Sequence, residues 1–124
     1  MPPAKRRKHA PSNVTWETVR QIALALPEVE EGKSYGTPAF RVQGKLFVRL
    51  HQCGDSVVVK ITQDERAVQM QVNPNAFYIT DHYTAYPWML VGMAAVEREE
   101  LRELLEEAWR LTAPKRLVTA YYGA

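Results

Sequence analysis

The sequence predicts an α+β fold, a two-layer sandwich in which an antiparallel meander sheet carries the N- and C-terminal helices on one face. Apolar residues recur at helical spacing near both ends of the chain. Between them lie short apolar runs separated by turn residues, a pattern typical of a meander. A helix-capping box interrupts these runs after the third one. The predicted order is therefore α-βββ-α-ββ-α, within a single domain of residues 14–124.

Three helices are predicted from their caps and their apolar spacing. Thr15 caps a first helix that has one apolar stripe. Residues 62–65 form a capping box in which the glutamate reaches back, and they start a short helix that ends near residue 71. Residues 96–111 carry a leucine-rich stripe and form a long helix, which ends before Pro114.

Five strands are predicted between these helices. They cover residues 38–42, 45–50, 56–61, 76–80 and 88–92. Gln43-Gly44 is a two-residue hairpin turn in which the glycine adopts a positive φ, and residues 52–55 form a four-residue loop. Residues 28–34 are predicted to be a loop.

Pairing across these two turns predicts which side chains share a face. The two-residue turn pairs Phe40 with Phe47, and the four-residue loop pairs Arg49 with Val58. The face that meets the helices is then aliphatic and carries Ala39, Arg41, Leu46, Val48, Leu50, Val57, Val59 and Ile61. The opposite face mixes rings with cations and carries Phe40, Val42, Lys45, Phe47, Arg49, His51, Val58 and Lys60. Such a mixture suits nucleic acid, because cations bind phosphates and flat rings stack on bases. Alternatively, the short helix or the 81–87 loop covers Phe40 and Phe47, and the lysines and arginine reach water through their aliphatic stems.

Charge is distributed unevenly along the chain. Residues 1–13 contain the run Lys-Arg-Arg-Lys and no core residues, which predicts a disordered basic arm that could approach phosphates. Residues 14–124 carry 12 basic and 14 acidic side chains. Within this domain, residues 32–62 have a net charge of +4 and residues 97–111 a net charge of −3. This separation could make one basic and one acidic surface, which would orient the protein towards a polyanion, or it could reflect only the preference of helices for glutamate.

Composition and motifs exclude several classes of protein. No run approaches the roughly 18 apolar residues of a membrane span, so we expect no membrane association of that kind. The basic start lacks a following apolar stretch, so no secretory signal is predicted. The single cysteine, Cys53, excludes an internal disulfide and favours a cytoplasmic location. No zinc-site spacing, phosphate loop or nucleophile elbow occurs, so neither a metal nor a cofactor is expected.

Segments spread over residues 15–120 resemble the MmcQ/YjbR family of small bacterial proteins. They are residues 34–42 (SYGTPAFRV), 44–48 (GKLFV), 59–61 (VKI) and 113–116 (APKR), with Phe77, His82, Tyr83 and Trp88 between them. The resemblance implies a CyaY-like (frataxin-like) α+β fold. It also implies DNA binding, which is attributed to this family through a proposed double-wing motif.

The leading hypothesis is a non-enzymatic DNA-binding module with modest, salt-dependent affinity for phosphates. The predicted phosphate-binding residues are Lys33, Arg41, Lys45, Arg49, Lys60, Lys115 and Arg116, helped by the basic arm. The residues expected to stack or pack at the edge of this surface are Tyr35, Phe47, His82 and Trp88.

Two other classes stay open. The loops at residues 34–38 and 82–88 could frame a pocket for a small anion or a protein segment, with Arg49, Lys60 and His82 converging on it. Alternatively, His82 could act as the acid or base of an enzyme, which requires a hydrogen-bonding partner. The sequence predicts no oligomeric state.

Overall fold

Residues 13–123 are described by a computed structural model, and the predicted basic arm lies outside them except for Asn13. The helices of this part of the chain are α1 (Trp16–Leu24), α2 (Gln63–Val72), α3 (Arg98–Thr112) and α4 (Lys115–Tyr122). The strands are β1 (Val29–Ser34), β2 (Thr37–Val42), β3 (Lys45–Leu50), β4 (Ser56–Lys60), β5 (Phe77–Tyr78) and β6 (Trp88–Gly92). All pair antiparallel in one sheet of order β1-β2-β3-β4-β6-β5.

Local side-chain chemistry starts two helices where the sequence predicts. At α1 the Thr15 hydroxyl accepts the Thr18 N–H at 3.4 Å, and the Thr18 hydroxyl accepts the Thr15 N–H at 3.1 Å. At α2 the Thr62 hydroxyl accepts the Glu65 N–H at 3.2 Å. The sequence also predicts that the Glu65 carboxylate reaches back to the start of this helix. That prediction is wrong, because the carboxylate instead accepts from the Gln69 amide at 2.9 Å.

Two elements escape prediction because they bury few apolar side chains. The predicted loop at residues 28–34 is wrong, since most of it forms β1. This edge strand is held by backbone pairing with β2, and the side chains of residues 30–33 are exposed. Helix α4 follows Pro114, spans only Lys115–Tyr122 and buries Leu117, with Val118 packed against the core, so it has few apolar positions from which it could be predicted.

The predicted strand register holds near both turns. Val42 pairs with Lys45 across the β2–β3 turn, where Gln43 and Gly44 adopt φ values of +51° and +79°. Across the next loop, Arg49 pairs with Val58. Turn chemistry therefore determines the alignment where strands begin and end.

A β-bulge breaks the register in the middle of the β2–β3 pair. Phe40 pairs with Val48, whereas Arg41 still pairs with Leu46, so Phe47 is an extra residue on β3. A shift of one residue exchanges the faces of a strand. The predicted faces are therefore wrong for seven residues. Phe40, Val42, Lys45 and Phe47 lie on the helix side, and Ala39, Arg41 and Leu46 lie on the other side.

The helices and the sheet enclose the main core. Helix α3 packs against β3, β4 and α1. Its Trp109 is fully buried and donates its indole N–H to the Pro27 carbonyl at 3.0 Å. Trp16 stacks on Phe40 with 5.4 Å between ring centroids. The helices near both ends of the chain thus lie on one face of the sheet, which confirms the predicted α+β two-layer fold.

The face of the sheet opposite the helices is called the open face below. The chain between β5 and β6 covers part of it with a short 3₁₀ turn, Asp81–Tyr83. A second, smaller apolar cluster forms there from Val58, Tyr83 and Leu90, with Tyr78, Ile79 and Trp88 packed against it. The candidate site adjoins this cluster and shares Val58, Tyr83 and Trp88 with it.

Candidate functional site

A pocket of about 340 Å³ lies on the open face between the β1–β2 turn and residues 82–88. Strands β3 and β4 supply its floor, with the side chains of Leu46, Arg49 and Val58. Five rings line the rest of it, those of Tyr35, His82, Tyr83, Tyr86 and Trp88. Sites for small molecules typically measure about 300–1,000 Å³, so the pocket has the size of a small-ligand site.

Arg49 is the buried cation of this pocket, with 6% of its surface exposed. Its Nη2 donates to the Tyr83 hydroxyl at 2.7 Å, and its Nη1 donates to the Leu50 carbonyl at 3.2 Å and to Gln52 Oε1 at 3.3 Å. The guanidinium also lies 5.3 Å from the centroid of the Tyr35 ring. Within residues 13–123 no carboxylate forms an ion pair with it. The guanidinium is thus positioned by neutral groups, with no counter-charge from the described residues.

Tyr35 reaches the pocket from a strained turn. Tyr35 and Gly36 connect β1 to β2 with φ values of +54° and +81°. Asparagine or glycine would normally occupy the first of these positions, because a bulky side chain at positive φ costs about 1–2 kcal/mol. The Tyr35 side chain is 84% exposed although it is aromatic. The turn thus holds an exposed ring at a strained backbone position beside the pocket.

The remaining walls come from the segment before β6. The His82 ring meets the Tyr83 ring edge-on at 4.8 Å and lies 6.2 Å from the Tyr86 ring. Among the described residues, the His82 imidazole has these ring neighbours and no hydrogen-bonding partner. Beside the pocket, the Lys60 ammonium lies 5.1 Å from the centroid of the Trp88 ring.

Arg66 of α2 holds this wall in place. Its Nη1 donates to the carbonyls of Tyr83, Tyr86 and Trp88 at 3.0, 2.8 and 3.0 Å, and its Nη2 donates to the Thr84 carbonyl at 3.1 Å. The side chain is 8% exposed. Carbonyls of residues 83–88 thus converge on one guanidinium, while the rings of Tyr83, Tyr86 and Trp88 line the pocket.

Sequence reasoning misses Arg66, although the composition of α2 contains a signal. The apolar residues Val68 and Val72 of this helix are exposed, and Arg66 is its buried residue. A helix without an apolar stripe needs another anchor, and a basic side chain facing the protein can provide one. Tyr83 and Tyr86 lie in the 82–88 loop, which the sequence suggests as one side of a pocket, but neither is among the predicted site residues.

The structure brings together part of the predicted site. Arg49, His82 and Trp88 line the pocket, and Lys60 lies at its border. Arg41 is on the same face, but its Nη1 donates to the Lys33 carbonyl at 3.0 Å, on the edge strand.

Other predicted residues lie elsewhere. Phe47 is 0% exposed and belongs to the main core, so its predicted stacking role is wrong; the β-bulge turns it inward. Lys33 and Lys45 pair with residues of β2 whose side chains face the helix layer. Lys115 and Arg116 begin α4, in that layer.

Exposed cations gather near the β2–β3 turn. Gln43 donates its amide to Glu28 Oε1 at 2.6 Å, and Arg116 Nη1 lies 3.9 Å from Glu28 Oε2. Lys45 follows this turn and Lys115 precedes Arg116, and both are exposed. Glu28 therefore links Arg116 of α4 to Gln43 of the turn, and the sequence neighbours Lys45 and Lys115 are exposed.

A larger groove of about 560 Å³ lies between α2 and α3. Its floor includes Ile61, Phe77 and Leu104, and its walls carry Glu65, Glu100, Glu103 and Glu107 with the cations Lys60 and Arg110. The helix layer thus presents an acidic groove, whereas the open face presents Arg49.

No group of three or more His, Cys, Asp or Glu side chains within residues 13–123 could hold a metal ion. No helix in that range has the length and apolar character to cross a membrane.

A family model described as YjbR matches residues 24–111, which include every residue that lines the pocket. The chain belongs to the YjbR family. The resemblance stated from the sequence is thereby confirmed, and the match runs from the end of α1 through most of α3.

Curated relatives of this YjbR-family protein are named as uncharacterised. Proteins of Mycobacterium bovis and of two Mycobacterium tuberculosis strains are each 36% identical to it over 69 residues, which is 55% of this chain and 54% of theirs. The chain therefore spans about half the length of these relatives.

A solved structure has a similar fold. The crystal structure of Deinococcus radiodurans protein DR2400, with a DUF419 domain, superposes with a TM-score of 0.68, over 79% of this chain and 78% of that one. The two sequences are 20% identical, so this likeness shows the fold.

Proposed function

We propose that this YjbR-family protein binds a small organic anion with a flat ring, in the pocket on its open face. One observation carries the proposal: the guanidinium of Arg49 is buried at the floor of a ring-lined pocket and has no carboxylate partner among residues 13–123. Burying a charge without a counter-charge is costly, and an anion in the pocket would compensate it.

The rings explain why the ligand would be flat. Tyr35 and Tyr86 are 84% and 54% exposed, so each has apolar surface that a bound ring would remove from water. Aromatic side chains also favour stacked or edge-on contacts with other rings. An aliphatic anion would use Arg49 but would leave these contacts unmade.

The proposal is tested by titrating the full chain with ring-bearing anions and following backbone amide signals by NMR. We expect saturable shifts at Tyr35, His82 and Tyr86, and at least about tenfold weaker binding in Arg49→Gln. Tyr86→Ala should also weaken binding, and because its ring is half-exposed this variant should fold. Arg98→Gln is the matched control, since Arg98 is exposed and does not line the pocket. Unchanged affinity in Arg49→Gln and Tyr86→Ala would overturn the proposal.

DNA binding is a second candidate, favoured by the exposed cations Lys45, Lys115 and Arg116. Arg116 lies 3.9 Å from Glu28, and Glu28 also accepts from Gln43, two residues before Lys45. Exposed lysine and arginine bind phosphates and release counterions, so affinity would fall steeply with salt. Arg49 and Phe47 would not contact DNA at this surface, because both side chains are buried.

A mobility-shift titration at two salt concentrations tests this candidate. Lys45→Gln/Arg116→Gln should bind DNA more weakly and reduce the salt slope by about two. Lys33→Gln removes a cation near the opposite end of β2 and serves as the control. Equal binding by the double variant and the control would exclude this surface.

A further inference from the structure

We infer that the anionic group recognised in the pocket is a carboxylate and that a phosphate ester fits poorly; this inference rests on the proposed function. It follows from the donors that Arg49 and Tyr83 leave unused, and from the number of positive charges in the pocket.

Arg49 has two N–H donors left for a ligand. A guanidinium carries five N–H groups, and the contacts with Leu50, Gln52 and Tyr83 occupy three of them. Among the described residues, the Nε donor and one Nη2 donor have no acceptor. Nε and Nη2 share one edge of the planar guanidinium, and such an edge matches the two oxygens of a carboxylate.

The free Nε donor faces accessible space. Within residues 13–123 no buried side-chain nitrogen or oxygen lacks a hydrogen-bond partner. Since Nε has no partner, it cannot be one of the buried atoms, and Arg49 lines the pocket. The Nε atom therefore keeps some solvent-accessible surface, on a side chain that lines the pocket.

Tyr83 supplies a further donor beside this edge. Its hydroxyl oxygen accepts from Arg49 Nη2 at 2.7 Å, which leaves the hydroxyl proton to donate. Tyr83 is buried, with 7% of its surface exposed, so its hydroxyl is held in place by packing. Arg49 and Tyr83 together thus retain two N–H donors and one O–H donor for an anion with two oxygens.

A phosphate ester would find too little positive charge. Among the described residues that line the pocket, Arg49 is the one arginine or lysine. The Lys60 ammonium lies beside the pocket, on the Trp88 ring. None of the helices α1–α4 begins among the lining residues, so no helix N-terminus adds N–H donors. A doubly charged phosphate generally needs several such donors, whereas a monoanion is balanced by one guanidinium.

The test compares four probes that share one ring system: 2-naphthoate, 2-naphthyl phosphate, 2-naphthamide and 2-naphthylmethanol. Each is titrated into the full chain, and dissociation constants are taken from amide shifts in the pocket. We expect 2-naphthoate to bind at least about tenfold more tightly than the other three. Tyr83→Phe keeps the ring and removes the hydroxyl, so it should weaken 2-naphthoate by about fivefold and leave 2-naphthamide unchanged. Arg98→Gln should bind all four as the parent does.

The outcomes separate this inference from the proposed function. If 2-naphthyl phosphate binds as tightly as 2-naphthoate, or if Tyr83→Phe binds 2-naphthoate unaltered, the carboxylate assignment is wrong and the anion pocket remains. If 2-naphthamide binds as tightly as 2-naphthoate, both the carboxylate assignment and the proposed anion-binding function are wrong. If none of the probes shifts pocket signals, the proposed function itself is overturned.

Discussion

Replacing Arg66 with methionine removes the contact that holds the wall of the pocket. Its guanidinium donates to four main-chain carbonyls at 2.8–3.1 Å. Nη1 has two N–H groups but contacts three of the carbonyls, so one hydrogen is shared. The loss therefore corresponds to about three full hydrogen bonds.

The size of the effect follows from the charge of the donor and the exposure of the acceptors. A hydrogen bond to a charged group contributes about 1.5–3 kcal/mol. Thr84 and Tyr86 are exposed, so water can replace the arginine at their carbonyls. The hydrogen bonds to these two carbonyls therefore contribute less than that range. We expect Arg66→Met to lower the free energy of unfolding by about 3–4 kcal/mol, a large part of the 5–15 kcal/mol typical of a domain.

Urea unfolding of the two proteins, followed by circular dichroism, measures this loss. Arg66→Lys keeps the charge but lacks the planar fork, so it should lose about half as much stability. Hydrogen exchange of the amides in residues 82–88 should accelerate in both variants. Arg98→Met is the control, because Arg98 is exposed, and it should change stability by less than about 0.5 kcal/mol. A loss below about 1 kcal/mol in Arg66→Met would refute the argument.

Three further predictions concern the fold. Gly44→Ala should cost about 1–2 kcal/mol in chemical denaturation; the new methyl group meets no atom within 4 Å, so the penalty comes from the φ of +79° alone. Trp109→Phe should cost about 2 kcal/mol by the same measurement, because it leaves a cavity and frees the Pro27 carbonyl. Burial, and then the charge of Arg49, lower the pKa of His51 below its ordinary value of 6.5. As pH falls, His51 therefore takes up a proton in the unfolded chain before it does so in the folded chain. Stability should therefore decline below about pH 6.5, and His51→Gln should lose that part of the decline in urea midpoints measured in neutral and mildly acidic buffer.

Features governed by neighbours in the chain are predictable from the sequence. Thr15 and Thr62 cap their helices through hydroxyls that reach three residues ahead. The Gln43-Gly44 turn has the expected positive φ values, because two-residue hairpins require them. The long helix α3 follows from the spacing of its leucines, which all face one layer.

The arrangement of the candidate site depends on contacts between distant segments. The pairing of Phe40 with Val48 requires a bulge that no local pattern announces, and it moves Phe47 into the core and Arg41 to the open face. The buried position of Arg66 depends on carbonyls 17–22 residues further along the chain. Sequence spacing could suggest that the 34–38 and 82–88 segments face each other, but it could not place Tyr83 on Arg49, 34 residues away.

The amino-acid pattern alone determined the α+β class, most helices and strands, and the family, because these depend on capping, turn chemistry and apolar periodicity within short windows. Only the tertiary structure decided which cations are exposed, which rings line the pocket, and that Arg49 lies buried without a carboxylate partner in the described chain. The physical reason is that burial and electrostatic environment are properties of packed surfaces, and segments far apart in the chain meet there.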